Sequence, residues 1–257
     1  MPIDRNKFRN QFSKNHIPAY PCPKCKIGHL SLIPDMFHDI WPKHDRRAYE
    51  DHGVEEATRQ TFSGLLTCTT DKCGETVSFS GKGVPEQEAT DFTEDGQACE
   101  FDWVIYFQPQ FFYPTIDLFP VQNLELSREI NKALTDSFKL FWCDLPSCIG
   151  KLRVTVERIL DDKNIPTTND KDKRHNLHQR IDLFKEQVDD DLGDFLEAVK
   201  WLGNEGTHEN NAERNEVMNA FDMIEHVFEH LYRVQEDQTR LRAARDHINE
   251  RNRRPAN

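Results

Sequence analysis

A chain of 257 residues is long enough for one or two domains with a substantial core. With 45 Asp and Glu against 33 Lys and Arg, its net charge of −12 argues against broad coating of DNA, which needs clustered cations, but leaves room for a local basic site. Aromatic residues at 10% argue against disorder, and a mean hydropathy of −0.77 points to a well-solvated surface. No apolar run approaches the roughly 18 residues of a membrane span. The opening MPIDRNKFRNQF lacks the apolar stretch of a secretory signal. The expectation is a soluble, cytoplasmic protein with no membrane partner.

In chain order, residues 1–120 read as strand-rich. Turn signals recur at Ile27-Gly28, Phe62-Ser63-Gly64, Lys72-Cys73-Gly74 and Ser80-Gly81-Lys82-Gly83, and the pieces Thr76–Phe79 and Trp103–Phe107 read as strands. Between Lys82 and Arg128 there is no Lys or Arg, while Glu86, Glu88, Asp91, Glu94, Asp95, Glu100 and Asp102 accumulate; this stretch reads as a solvated loop. Residues 121–257 turn helical. Leu124, Ile130, Leu134 and Phe138 mark a helix over 123–140. Asp144 with Pro146 marks the start of one over 145–162. A polar loop over 161–172 precedes helices near 175–188 and 190–204, the latter entered through Asp189, Asp190 and Asp191 as acidic N-terminal residues. From Glu213 a long helix carries Val217, Phe221, Ile224, Phe228 and Leu231 as one apolar stripe, read as a core or dimer face. The last 20 residues hold six Arg against Asp246 and Glu250, a basic end that reads as solvated helix or as an RNA or partner contact. The fold class is therefore α+β, a strand-rich region followed by a helical bundle.

Seven cysteines without an export signal read first as metal ligands, not as a disulfide framework. Cys22-Pro23-Lys24-Cys25 and Cys68-Thr69-Thr70-Asp71-Lys72-Cys73 are two close thiol pairs, each followed by a glycine, Gly28 and Gly74. Together they make the two halves of a zinc-ribbon-like site. Four thiolates complete a tetrahedral shell with no open position, so the cofactor expected is a structural Zn²⁺ held by Cys22, Cys25, Cys68 and Cys73. The intervening stretch, 26–67, is longer than the usual spacing of about 15–20 residues, and its His29, His38, His44 and His52 are alternative ligands or surface histidines. Cys99, Cys143 and Cys148 show no partner pattern; the last two read as buried small residues.

Two polar sets in the helical half share a helix face. Arg153 and Glu157 are four residues apart, and so are Lys200, Asn204 and His208 if helix persists through Gly203 and Gly206. On spacing alone the first is an ordinary ion pair and His208 a capping histidine.

The run Trp142–Glu157 (WCDLPSCIGKLRVTVE) and the run Ala198–His208 (AVKWLGNEGTH) resemble the two signature helices of an uncharacterised prokaryotic domain-of-unknown-function family related to the HEPN superfamily of helical bundles. The Phe111-Phe112-Tyr113-Pro114 segment and the N-terminal cysteine pairs fit members of this architecture. The resemblance implies an HEPN-like bundle over 121–257 that commonly dimerises, in settings linked to antiviral defence. It also implies a possible RNA substrate or a defence-system partner. Active HEPN proteins are metal-independent ribonucleases in which an Arg steadies phosphate charge and a His a few residues on moves protons while the RNA 2′-hydroxyl attacks. Asn204 and His208 match that pattern, but Trp201, Leu202 and Gly203 fill the window where the Arg is expected. Lys200 or Arg153, with Glu157 beside it, would then supply the catalytic charge. Arg174…His178 is one residue short of the spacing, and Arg242…His247 has it only within the Arg-rich tail; both rank below His208. The function expected is a ribonuclease acting through His208. The alternative is a non-catalytic zinc-ribbon and helical-dimer module that binds a partner protein or nucleic acid.

Overall fold

The computed structural model describes residues 4–52, 59–93, 95, 97–209, 213–233 and 242–249; for 48–52, 92, 99 and 204–209 it describes the backbone alone. Strands β1 (Phe12–Ser13), β2 (Leu30–Ile40), β3 (Gln60–Cys68), β4 (Thr76–Phe92) and β5 (Ala98–Tyr113) form one antiparallel sheet in the order β1-β5-β4-β3-β2, with helix α1 (Lys43–His52) between β2 and β3. On β3 every second residue, from Gln60 through Phe62, Gly64 and Leu66 to Cys68, is buried, the period of a strand with one face in a core. Phe62 meets Phe79 of β4 and Phe107 of β5 at centroid separations of 5.4 and 5.3 Å.

The sheet curls. Phe12 and Phe37 stand on its opposite edge strands, yet their rings lie 6.4 Å apart, and Lys14 reaches Asp39 at 3.0 Å across the same gap. Bringing the edges together around a phenylalanine core leaves less strand edge open for pairing with other chains.

The acidic stretch expected as a loop is instead a hairpin. β4 and β5 pair from Ser78↔Tyr113 out to Phe92↔Ala98, while β3 reaches only as far as Gly83. Beyond that point the two strands run on as an acidic ribbon, with Glu88 opposite Asp102. The carboxylates decorate solvent-facing ladder positions, which a charge count alone cannot tell from a loop.

Helices α2 (Arg128–Leu140), α3 (Leu145–Asp162), α4 (Leu177–Gln187), α5 (Asp190–Glu209) and α6 (Arg214–Leu231) follow, and residues 242–249 are also helical. Their starts are chemical. Ser127 accepts from the Ile130 N–H, Asp144 from the Ser147 N–H with Pro146 in the first turn, and Asn176 and Gln179 form a reciprocal capping box. The first helix thus starts at Arg128, after Leu124 and not before it. Helix α5 runs past the expected end at 204 to Glu209. The α6 stripe of Val217, Phe221, Ile224 and Phe228 is fully buried against the chain's own core. Arg180 ties α4 to α3 through Asp161 (2.8 Å) and the Ile165 carbonyl (3.0 Å). Among the described residues no helix is long and apolar enough to cross a membrane.

Strands end at Tyr113 and helices begin at Arg128, so residue 120 falls in the connector. The two regions share one core at Trp142, whose indole lies 4.6 Å from Phe112 of the sheet, 5.7 Å from Tyr20 and 5.3 Å from Phe141. Removing so large a buried ring costs about 3–5 kcal/mol. Trp142→Ala should lose that much stability in urea unfolding, with sheet and helix signals falling together; a loss below about 1 kcal/mol would show that the junction is peripheral.

Candidate functional site

The two cysteine pairs meet at one end of the sheet. Cys22 and Cys25 precede β2, Cys68 closes β3, and Cys73 lies in the turn into β4. Their four sulfurs lie within 4.8 Å of one another, with Cys22 Sγ 3.7 Å from Cys73 Sγ and Cys25 Sγ 3.6 Å from Cys68 Sγ. A tetrahedron of about 2.3 Å metal–sulfur bonds has edges of about 3.8 Å, so the four thiols can bind a metal ion with little adjustment. Among the described residues no histidine joins them. His44 faces Asp45, and the His29 ring faces Thr69. The side chain of His52 lies outside the described residues.

Local backbone explains the geometry. Lys26 takes the left-handed φ of 57° in the first knuckle and Gly74 that of 58° in the second. Gly28 serves another purpose. A Cβ there would stand 2.7 Å from Cys68 Sγ and 2.3 Å from Thr70 Oγ1, so only glycine lets the knuckles close. The Gly28 N–H donates to Cys25 Sγ and the Thr70 N–H to Cys68 Sγ, both at 3.4 Å. The backbone N–H groups of Gly28 and Ile27 draw the Cys25 thiol down to about 6, while burial pushes Cys22 up to about 12.

Of the remaining cysteines, Cys148 is buried and donates to the Ser137 carbonyl at 3.2 Å. Cys143 is exposed, contrary to expectation, because it lies at the corner between α2 and α3. The side chain of Cys99 lies outside the described residues.

In the bundle, α3 presents Arg153 to α5. A Cβ on Gly203 would lie 3.5 Å from Arg153 Cβ and 3.6 Å from its Cδ, so the arginine stem rests on α5 one residue before Asn204. Glu157 is half-buried one turn along α3. The backbone of Asn204 and His208 lies in the last turns of α5; their side chains lie outside the described residues.

Lys200 is almost wholly buried and engages α4. Its Nζ lies 3.2 Å from His178 Nδ1 and 3.5 Å from Glu197 Oε1, and 3.8 Å from the centroid of the Trp201 ring. Glu197 Oε1 is also 3.1 Å from His178 Nδ1. Lys185 and, to a lesser degree, Lys200 and His178 hold the Glu197 carboxyl below the usual carboxylate range. The Nδ1 edge of the half-exposed His178 is thus taken up by this pair. Sequence spacing set His178 aside. Only the pairing of α4 with α5 brings it to Lys200, and a single sequence carries no signal of that pairing.

Residues 10–112 match a family model described as Domain of unknown function (DUF8608), and residues 135–251 match one described as Domain of unknown function (DUF4145). The first match spans the knuckles and most of the sheet. The second contains both stretches, 142–157 and 198–208, on which the HEPN resemblance rests. The two matches fall one in each half of the chain. No curated protein and no solved structure matches it.

In metal-stripped protein at neutral pH, Cys25 should be the first of the four cysteines alkylated by a thiol reagent and Cys22 the last, read by peptide mass spectrometry. The preference should fade as the pH drops below about 6, where Cys25 becomes protonated. Equal rates at all four would contradict the asymmetry.

Proposed function

We propose that this protein is an HEPN-like ribonuclease whose bundle carries the chemistry and whose four-cysteine site holds a structural zinc ion. The observation that carries the first part is the placement of Arg153 from α3 against α5 at Gly203, beside the Asn204 and His208 positions of the signature. An arginine delivered from the facing helix would do the work of the one missing from the Trp201–Gly203 window, steadying the phosphate while His208 moves the proton. Glu157, one turn along, would orient Arg153. Zinc is favoured by the all-thiolate donor set, and a closed shell has no position for substrate.

A second reading is favoured by one observation. Trp201 stands in the arginine window with half of its surface exposed. An exposed indole is a contact surface for a partner protein or an unpaired base. On that reading the chain is a binding module without catalysis.

The deciding measurement is cleavage of labelled total RNA and tRNA by the full chain, with and without chelator, beside His208→Ala, Arg153→Ala and His178→Ala. Chelator-resistant cutting that falls by about 10²–10⁴ in His208→Ala and Arg153→Ala supports the ribonuclease. Loss in His178→Ala alone would move the proton transfer to the α4–α5 pair. No cutting by folded protein would put the binding module in front. For the metal, wild type should carry zinc at a single ion per chain, and Cys68→Ser should lose it and unfold more readily in its sheet half; full zinc occupancy in that variant would refute the site.

A further inference from the structure

Strands β2 to β5 have a second face that the phenylalanine core does not use. On β3 the buried residues are Gln60, Phe62, Gly64, Leu66 and Cys68, so Thr61, Ser63 and Leu65 point the other way. The register carries that face across the sheet. His38, Ser63, Ser80 and Phe111 form one cross-strand row, Leu65, Ser78 and Tyr113 the next, and Thr61 with Lys82 a third. Serines keep the middle of the face low, and β5 borders it with two aromatic rings two residues apart, about 7 Å along the strand. Phe111 is 59% exposed and Tyr113 80%, a large apolar area to leave in water.

A cleft of about 650 Å³ runs from this face to the end of α2, where Lys139 lines it. Among the described residues no Asp or Glu lines the cleft, in a chain that carries 45 of them. The charge around it is cationic. Lys82 stands exposed on the sheet. Lys139 pairs with Asp136 at 3.3 Å, but that carboxylate is shared with Lys132 at 2.9 Å and Lys151 at 3.9 Å. Three ammonium groups around one carboxylate leave this rim positive.

We propose that this face binds an unpaired nucleic-acid strand, with bases stacked on Phe111 and Tyr113, the Ser63 and Ser80 hydroxyls toward base and sugar edges, and phosphates toward Lys139 and Lys82. Aromatic rings on alternate residues of one strand stand on the same side of the sheet, which is how a sheet stacks successive bases. Hydroxyl and ammonium groups around the rings match a polyanion better than the apolar centre of a protein partner. The acidic β4–β5 ribbon beyond Gly83 borders the face and repels phosphate, so the site suits a short unpaired segment and not a long duplex. Binding here needs no catalysis, and the inference holds for the ribonuclease and for the binding module alike.

The test uses the full chain and a fluorescein-labelled oligothymidylate of about ten nucleotides, read by anisotropy at low salt. DNA lacks the 2′-hydroxyl that the ribonuclease reaction needs, so this readout stands whether or not the bundle cuts RNA. The oligomer should bind, and an abasic strand of the same length and charge should bind at least about tenfold more weakly. Phe111→Ala and Tyr113→Ala should each weaken binding between about fivefold and about a hundredfold with Tm unchanged, because both rings are exposed. Tyr113→Phe should keep the response, and so should Phe101→Ala, which removes an exposed ring farther out on the ribbon. Equal binding of the abasic strand, no binding of the oligomer by wild type, or undiminished binding in both alanine variants would each overturn the proposal. Self-association of wild type that disappears in Phe111→Ala, without oligomer binding, would overturn it in favour of a second copy of the chain on this face.

Discussion

The architecture depends on a half-buried arginine laid across two aromatic rings. Arg214, at the start of α6, stacks 3.9 Å above Phe141 and 5.1 Å from Trp142. It donates through Nε to the Phe8 carbonyl and through Nη1 to the Phe141 carbonyl, both at 3.3 Å. One side chain thereby joins the N-terminal arm, the α2–α3 corner and α6 at the point where Trp142 enters the sheet core. Burial draws its guanidinium down to about 10, so it stays charged at neutral pH; the rings and carbonyls replace part of the solvation it gives up, while Nη2 is buried without a hydrogen-bond partner among the described residues. Its titratable neighbours are neutral there. Burial pushes the Tyr20 hydroxyl and the Cys148 thiol well above their usual values, so no anion competes for the arginine. Around this contact the two halves behave as one packed unit.

The cysteine knuckles solve a different problem. β2 is an edge strand on which Leu30 and Phe37 are the buried residues, and its pairing with β3 breaks between Leu32 and Phe37. Such a strand has little burial to hold its register. A metal ion held by Cys22, Cys25, Cys68 and Cys73 would tie its start to the end of β3 and fix the register at the point where packing does not. Lys24 on Glu75 at 3.1 Å and Lys26 on Asp117 extend that tie to β4 and to the connector. A four-thiolate metal site carries net negative charge, and these lysines stand where they offset it.

What the sequence shows depends on the range of the interaction. The helix start at Asp144 is legible because capping is settled within four residues, the one near Glu213 because of its apolar stripe, and the cysteine set because thiols at such spacing have few other uses. The β4–β5 ribbon is not. Its carboxylates hide a strand pattern that only pairing with Val104, Ile105 and Tyr106 reveals. His178 was likewise invisible, because its partners Glu197 and Lys200 lie on another helix and the contact depends on how α4 and α5 pack. Gly28 was read as a turn residue, yet what it supplies is room against Cys68 and Thr70, a constraint created only when the two knuckles meet.

The same geometry ranks the two cations that could replace the missing arginine of the signature. The Lys200 ammonium has Glu197 at 3.5 Å, lies over the Trp201 ring and is 4% exposed, so its charge is largely spent inside the α4–α5 contact. A phosphate would have to compete with Glu197 for it and would meet the carboxylate's repulsion at nearly the same distance. Arg153 approaches α5 from the other neighbour, α3, with its stem packed on Gly203, one residue before Asn204. A planar guanidinium also matches two phosphate oxygens at once, which a lysine cannot do. Lys200 thus belongs to the α4–α5 contact beside His178, and the proposal of an arginine supplied from the facing helix rests on Arg153.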